Sequence, residues 1–128
     1  MTAIPLPDPL ALIIEDDEKL ATIFAQALRM AYFETQIIRD GREANEKLNF
    51  LKPDIILLDL HLPGLSGDKI LSNIRLNPRL TKTHIIITTA DPSMTINLND
   101  LCDLVLIKPI SFTQLRDLAL RIRSTLIF

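Results

Sequence analysis

The sequence predicts an α/β fold, a doubly wound three-layer sandwich on a five-stranded parallel sheet, and three observations carry that prediction. Short unbroken apolar runs recur: Leu10–Ile14, Ile55–Leu58, Ile85–Ile87 and Leu104–Ile107. Runs so short, branched and without alternation are what strands buried on both faces of a parallel sheet look like. Segments with helical spacing lie between them, so strands and helices alternate. The length of 128 residues then matches one domain, residues 1–128, with a single core system.

Each element follows in order. Residues 1–9 are a Pro-rich N-terminal arm, since Pro5, Pro7 and Pro9 favour extended backbone before the first strand. After Leu10–Ile14, the residues Leu20, Ile23, Phe24, Ala27, Leu28 and Ala31 share one face of a first helix. A weaker strand over Thr35–Arg39 precedes Asp40–Gly41. A short helix with Ala44, Leu48 and Leu51 on one side stops at Lys52–Pro53, because the residue before a proline disfavours the helical region. Beyond Ile55–Leu58, a third helix is marked by Ile70, Leu71 and Ile74 and ends at Asn77–Pro78. The segment Asp91–Asp103 carries Pro92, Thr95, Ile96, Asn97 and Asn99, poor helix formers, which predicts a short or irregular fourth helix. A last helix from Phe112 sets Phe112, Leu115, Leu118, Ala119 and Ile122 on one face.

Composition excludes several classes. With 14 Lys+Arg against 16 Asp+Glu and a formal charge of −2, the domain lacks the basic footprint of a nucleic-acid binder. The longest apolar runs fall far short of the roughly 20 residues that span a bilayer, so no membrane segment is expected. The single cysteine, Cys102, forms no internal disulfide, and Met1–Pro9 lacks a signal-peptide pattern. These points favour a reducing, cytoplasmic setting. Leu and Ile dominate the apolar set, Val105 is the only valine and aromatics are 5%, so the core should be aliphatic.

Polar groups collect at one end of the strands. The first strand runs into Glu15-Asp16-Asp17, the third into Asp59, the fourth into Thr88-Thr89 and the fifth into Lys108-Pro109. Ligands of such sheets bind at the carboxyl ends of the strands. Taken singly, Asp16 or Asp17 reads as a helix N-cap, Asp59 as a turn residue, the threonines as loop hydrogen-bonders and Lys108 as a solvated charge. Together, on strands roughly 5 Å apart, they describe one pocket. Carboxylates that close repel one another unless a cation lies among them, and magnesium suits an all-oxygen donor set.

These residues resemble the receiver domain of two-component response regulators, across the chain from Leu10 to the last helix. The carriers are Asp16-Asp17, the stretch from Asp59-Leu60-His61 through Leu62-Pro63-Gly64-Leu65-Ser66-Gly67, Thr89-Ala90 and Lys108-Pro109. The resemblance implies that Asp59 is the phosphoacceptor, forming an acyl phosphate with a phosphoryl group from a sensor histidine kinase or a histidine phosphotransfer protein. It implies that Asp17 binds magnesium directly, Asp16 through water, and that Asp59 and the backbone carbonyl of His61 complete the metal set. Thr89 would be the switch hydroxyl, and Lys108 would pair with a phosphoryl oxygen before a cis bond to Pro109. The His61 side chain, two residues past Asp59, would tune the lifetime of the phosphate or stand as an inert loop residue. His84 lies at the opposite end of its strand and joins no metal set with it.

Two features depart from the family pattern. Thr89 and Lys108 are 19 residues apart, about one helical turn closer than the family implies, and position 105 holds valine where an inward-turning aromatic is usual. Both fall on the face that usually carries output. Leu120 and Ile127, with Leu126-Ile127-Phe128 at the end, form a stripe on the last helix for an output domain or a homodimer. The expectation is a magnesium-dependent receiver domain that catalyses only its own phosphorylation and dephosphorylation. Two other readings are a pseudo-receiver that binds partners without phosphorylation and a small magnesium-dependent phosphatase. For the latter, no general acid other than the His61 imidazole follows Asp59 closely.

Overall fold

The computed structural model describes residues 8–126. Strands β1 (Leu10–Ile14), β2 (Glu34–Ile38), β3 (Ile55–Asp59), β4 (His84–Thr89) and β5 (Leu104–Ile107) alternate with helices α1 (Glu18–Met30), α2 (Gly41–Lys47), α3 (Gly67–Leu76) and α4 (Phe112–Thr125). All strand pairs are parallel and the sheet order is β2-β1-β3-β4-β5. The expected doubly wound sheet is therefore observed. The chain winds outward in both directions from β1, so the switch point lies between β1 and β3.

The unbroken apolar runs are explained by two cores. Ala11, Ile13, Ile55, Leu57 and Ile86 pack under α1 and α4 against Phe24, Leu28, Leu115 and Ala119. The alternate residues Leu12, Ile14, Ile56, Leu58, Ile85 and Ile87 pack under α2 and α3 against Ala44, Leu48, Ile70, Leu71 and Ile74. Each fully buried Leu or Ile contributes about 1.5–3 kcal/mol. That burial fixes strand register, because a slip by one residue would exchange the two faces.

Helix starts follow local chemistry. Asp17, Asp40 and Ser111 cap α1, α2 and α4 by accepting backbone N–H bonds from Leu20, Arg42 with Glu43, and Gln114 respectively. Tyr32, at φ 69°, makes the left-handed turn out of α1.

Several expectations shift. The second strand is Glu34–Ile38, one residue earlier than Thr35–Arg39, because its pairing partner Leu10 sits opposite Glu34. Helix α2 ends at Lys47, five residues before Lys52–Pro53, and Leu48 closes it as C-cap. Ile23, placed on the buried face of α1, is 41% exposed. The run Leu104–Ile107, expected to be buried on both faces, is an edge strand with Leu104 and Ile107 exposed.

The expected fourth helix reduces to a single 3-10 turn, Pro92–Thr95, followed by turns to Leu101. Arg75 on α3 holds this segment: its guanidinium donates to Leu101 O and to Thr83 O and pairs with Asp103 at 3.1 Å. Asp103 in turn accepts the Ile85 N–H at 2.6 Å. Of the Pro-rich arm, residues 1–7 lie outside the described residues; Pro9 is buried and its carbonyl accepts the Glu34 N–H. Ile127 and Phe128 of the C-terminal stripe also lie outside them.

Candidate functional site

The site forms where β1, β3, β4 and β5 end. The last β1–β3 pair is Ile14–Leu58 and the last β3–β4 pair is Asp59–Thr88. Glu15, the next residue on β1, therefore lies beside Asp59. Glu15 donates its N–H to Ile38 O, still following the sheet, and its side chain is 2% exposed. Asp59 is 3% exposed.

Glu15, Asp16 and Asp59 each place a carboxylate oxygen within 4.8 Å of the others. Lys108 completes the cluster. Its Nζ lies 2.8 Å from Glu15 Oε1 and 3.5 Å from Asp59 Oδ2. The other Asp59 oxygen, Oδ1, accepts the His61 N–H at 3.1 Å. Lys108 is aimed by its backbone, whose N–H donates to Thr89 O at 2.8 Å, ahead of a cis bond to Pro109.

Burial pushes Glu15 up to about 7 from the ordinary 4.5; the hydrogen bond from Lys108 opposes this, while hydrogen bonding and charge repulsion from Asp59 add to it. For Lys108, burial disfavours the ammonium, yet its bond to Glu15 and the charges on Asp59 and Glu15 outweigh that and raise its pKa. The ammonium is thus charged at neutral pH. One cation stands among three carboxyl groups, an imbalance that a hard divalent ion would correct.

The structure brings Asp16, Asp59 and Lys108 together, and separates Asp17 from them. Asp17 lies outside the carboxylate cluster, and its Oδ1 accepts the Leu20 N–H at 3.1 Å as the cap of α1. Its amide donates to Glu15 Oε2 at 3.2 Å, bracing the cluster from behind. The backbone oxygen of Asp16 accepts the Nε–H and Nη2–H of Arg39, which steadies the exposed loop. Thr89 is buried, and its hydroxyl bonds within its own turn, accepting the Asp91 N–H at 3.1 Å and donating to Asp91 O at 3.3 Å. Asp91 accepts both the hydroxyl and the N–H of Ser93, bonds that hold its carboxyl below the usual range. The His61 side chain is exposed at the rim.

The sequence patterns assign Glu15 no role. The signal lay in the helix start: Asp17, directly before Glu18-Lys19-Leu20, has the position of an N-cap with an acid in the first turn, which leaves Glu15 and Asp16 as the strand-end pair. Two glycines let the neighbouring backbone close on the site. A Cβ on Gly67 would lie 2.7 Å from Leu60 Cα and overlap Asp59 O, and one on Gly41 would overlap Leu65 O.

The chain matches the family model of the response regulator receiver domain over residues 11–120. It is 30% identical over 115 residues to the DNA-binding response regulator MtrA of Mycobacterium tuberculosis, covering 90% of this chain and 49% of that protein. The chain thus spans about half the length of the curated relatives it matches. Among solved structures it resembles the receiver domain of the Francisella response regulator 1452, with a TM-score of 0.80 at 27% identity over 91% of this chain and 98% of that one. It also resembles response regulator Rcp1 in its Mn(2+)-bound form, with a TM-score of 0.74 at 26% identity over 91% of this chain and 93% of that one. No helix among the described residues is long and apolar enough to cross a membrane. The buried carboxylate at the end of β3, the acidic pair at the end of β1 and the lysine at the end of β5 thus occur in a chain that belongs to the response regulator receiver domain family.

Proposed function

We propose that this domain accepts a phosphoryl group on Asp59 in a magnesium-dependent reaction. The donor would be a sensor histidine kinase or a histidine phosphotransfer protein, and the signal would pass to an output domain or partner. The observation that carries the reading is the buried Asp59 carboxylate between Lys108 at 3.5 Å and the Glu15–Asp16 pair.

The donor set is entirely oxygen, as magnesium requires, and Rcp1 holds Mn(2+). Asp16 and Asp59, with the His61 carbonyl, would hold the ion, since Asp17 lies outside their carboxylate cluster and caps α1. When bound, the ion would neutralise phosphoryl oxygens and the carboxylates around them. An Asp59 oxygen attacks phosphorus, the bond to the donor's imidazole nitrogen breaks, and an acyl phosphate forms. The His61 N–H on Oδ1 orients the nucleophile, and Lys108 supplies a cation to the transferred oxygens. Thr89 would leave its turn to donate to the phosphoryl group. We assign the domain no turnover of an independent substrate and a cytoplasmic setting.

Incubation with acetyl phosphate, with and without magnesium, followed by intact-protein mass, tests this. A single phosphate adduct that needs magnesium and is absent from Asp59→Asn is expected. A folded protein with no adduct under any condition would favour the pseudo-receiver, a reading that rests on Val105 and the missing helix between β4 and β5.

A further inference from the structure

The amino-terminal rim of the sheet, opposite the acidic cluster, holds two lysines that phosphoacceptor chemistry leaves unused. A cavity of about 550 Å³ there is lined by Lys52, Asp54, Lys82, His84, Thr125 and Leu126. A second of about 280 Å³ shares Lys52, Asp54 and Lys82 and adds Pro53 and Thr83. Lys52 precedes β3 and Lys82 precedes β4, so the segments entering neighbouring parallel strands bring both residues to the lining of one concavity.

Three observations set this cavity apart from ordinary surface lysines. First, neither ammonium has an ion-pair or hydrogen-bond partner among the described residues, although a carboxylate shares the cavity. Asp54 is otherwise engaged, its Oδ2 accepting the Leu10 N–H at 2.9 Å. Second, the loops that carry the lysines are tied together. The Thr83 hydroxyl donates to Pro53 O at 2.7 Å, the His84 N–H to Asp54 O at 2.9 Å and the Asp54 N–H to Leu10 O at 2.8 Å. Arg79 adds bonds to the carbonyls of Leu48, Phe50 and Leu51. Each lysine is thus one residue from a fixed point, which limits the ordering that binding costs. Third, His84, which lines the cavity, has its Nδ1 buried without a hydrogen-bond partner.

Lys52 and Lys82 leave the pocket one positive charge in excess of the Asp54 carboxylate, and a bound anion would offset it. Lysine binds phosphate as a point charge, and two lysines suit a doubly charged tetrahedral anion. We propose that this rim binds a phosphate monoester, with Lys52 and Lys82 as its cations and His84 and Thr125 as flanking walls. The cavity exceeds a phosphate group in size and leaves room beside Leu126 for the organic part of the ester. The site is separate from Asp59 and independent of the function assigned to it.

Titration of the ¹⁵N-labelled chain with inorganic phosphate, in EDTA and at constant ionic strength, tests this, because the metal-free acidic cluster repels phosphate. Saturable shifts are expected at the amides of Lys52, Asp54, Lys82, His84 and Thr125, half-maximal at roughly 1 mM. The double variant Lys52→Gln/Lys82→Gln, changed only at exposed positions, should keep the wild-type melting temperature and bind about tenfold more weakly or worse. Shifts that never saturate, that chloride reproduces, or that persist in the double variant would overturn the proposal. Vesicles of phosphatidylcholine doped with phosphatidic acid separate the two sources of the ester. Co-sedimentation that the double variant loses assigns a lipid headgroup, and saturable phosphate binding without co-sedimentation assigns a soluble ester.

Discussion

Lys108 and Glu15 form the shortest charged contact of the acidic cluster, 2.8 Å between Nζ and Oε1, joining residues at the ends of β5 and β1. The ammonium is thus shared between Glu15 and Asp59, and Glu15 is the nearer partner. A new negative group on Asp59 would compete for it.

Glu15 sets a pH dependence on the metal-free fold. Burial is the main reason its pKa rises from 4.5 to about 7. Between those values the folded chain holds a proton that the unfolded chain has released. The contribution is therefore fully present below pH 4.5 and is lost as pH rises through about 7. Melting temperatures in EDTA should fall over that window in wild type, and the slope should flatten in Glu15→Gln. Equal slopes in the two proteins would contradict the assignment.

Asp16 and Asp17 should separate cleanly. Asp17→Ala removes a helix cap and should cost about 1 kcal/mol of stability, while leaving intact the rise in melting temperature that magnesium produces. Asp16→Ala, at an exposed site, should leave metal-free stability within about 0.5 kcal/mol of wild type and abolish that rise. Denaturant melts with and without magnesium decide it, and the reverse pattern would return Asp17 to the metal site.

The contrast shows where the sequence was legible. The strands of both cores could be read because Ile55–Leu58 and Ala11–Ile14 are buried on both faces, and burial writes itself as an unbroken apolar run. Leu104–Ile107 gave the same signal and is an edge strand, because composition does not say whether a helix covers it. Asp59 and Lys108 were legible as polar residues closing apolar strands. The identity of the acidic pair was not, since three consecutive acids follow β1 and only the cap bond to Leu20 shows which of them belongs to the helix. The weak helix formers after Asp91 predict a short or irregular fourth helix, and the segment holds a single 3-10 turn.

Gly67 should be intolerant of a side chain. A Cβ there would overlap Asp59 O and crowd Leu60 Cα at 2.7 Å. Gly67→Ala should cost about 1–3 kcal/mol by forcing the backbone apart and slow adduct formation by roughly tenfold or more by displacing Asp59. Urea melts and a mass time course with acetyl phosphate measure the two effects, and wild-type values in both would refute the close-packing argument.

Arg75 takes over part of what a helix between β4 and β5 would supply. Its guanidinium ties Leu101, Thr83 and Asp103 to α3. Arg75→Met should cost about 1–3 kcal/mol and speed amide exchange across residues 98–104 ahead of the rest of the sheet. Uniform exchange rates in wild type and variant would show that the segment is held by other contacts.

The central claim is that Asp59, and no other carboxylate of the cluster, receives the phosphoryl group. Reduction of the phosphorylated protein with borohydride converts an aspartyl phosphate to homoserine, which peptide mass spectrometry locates. The account predicts homoserine at position 59 alone, formed only when magnesium was present during phosphorylation. A reduced product at Glu15 or Asp16, or a phosphate adduct that borohydride leaves unchanged, would contradict it.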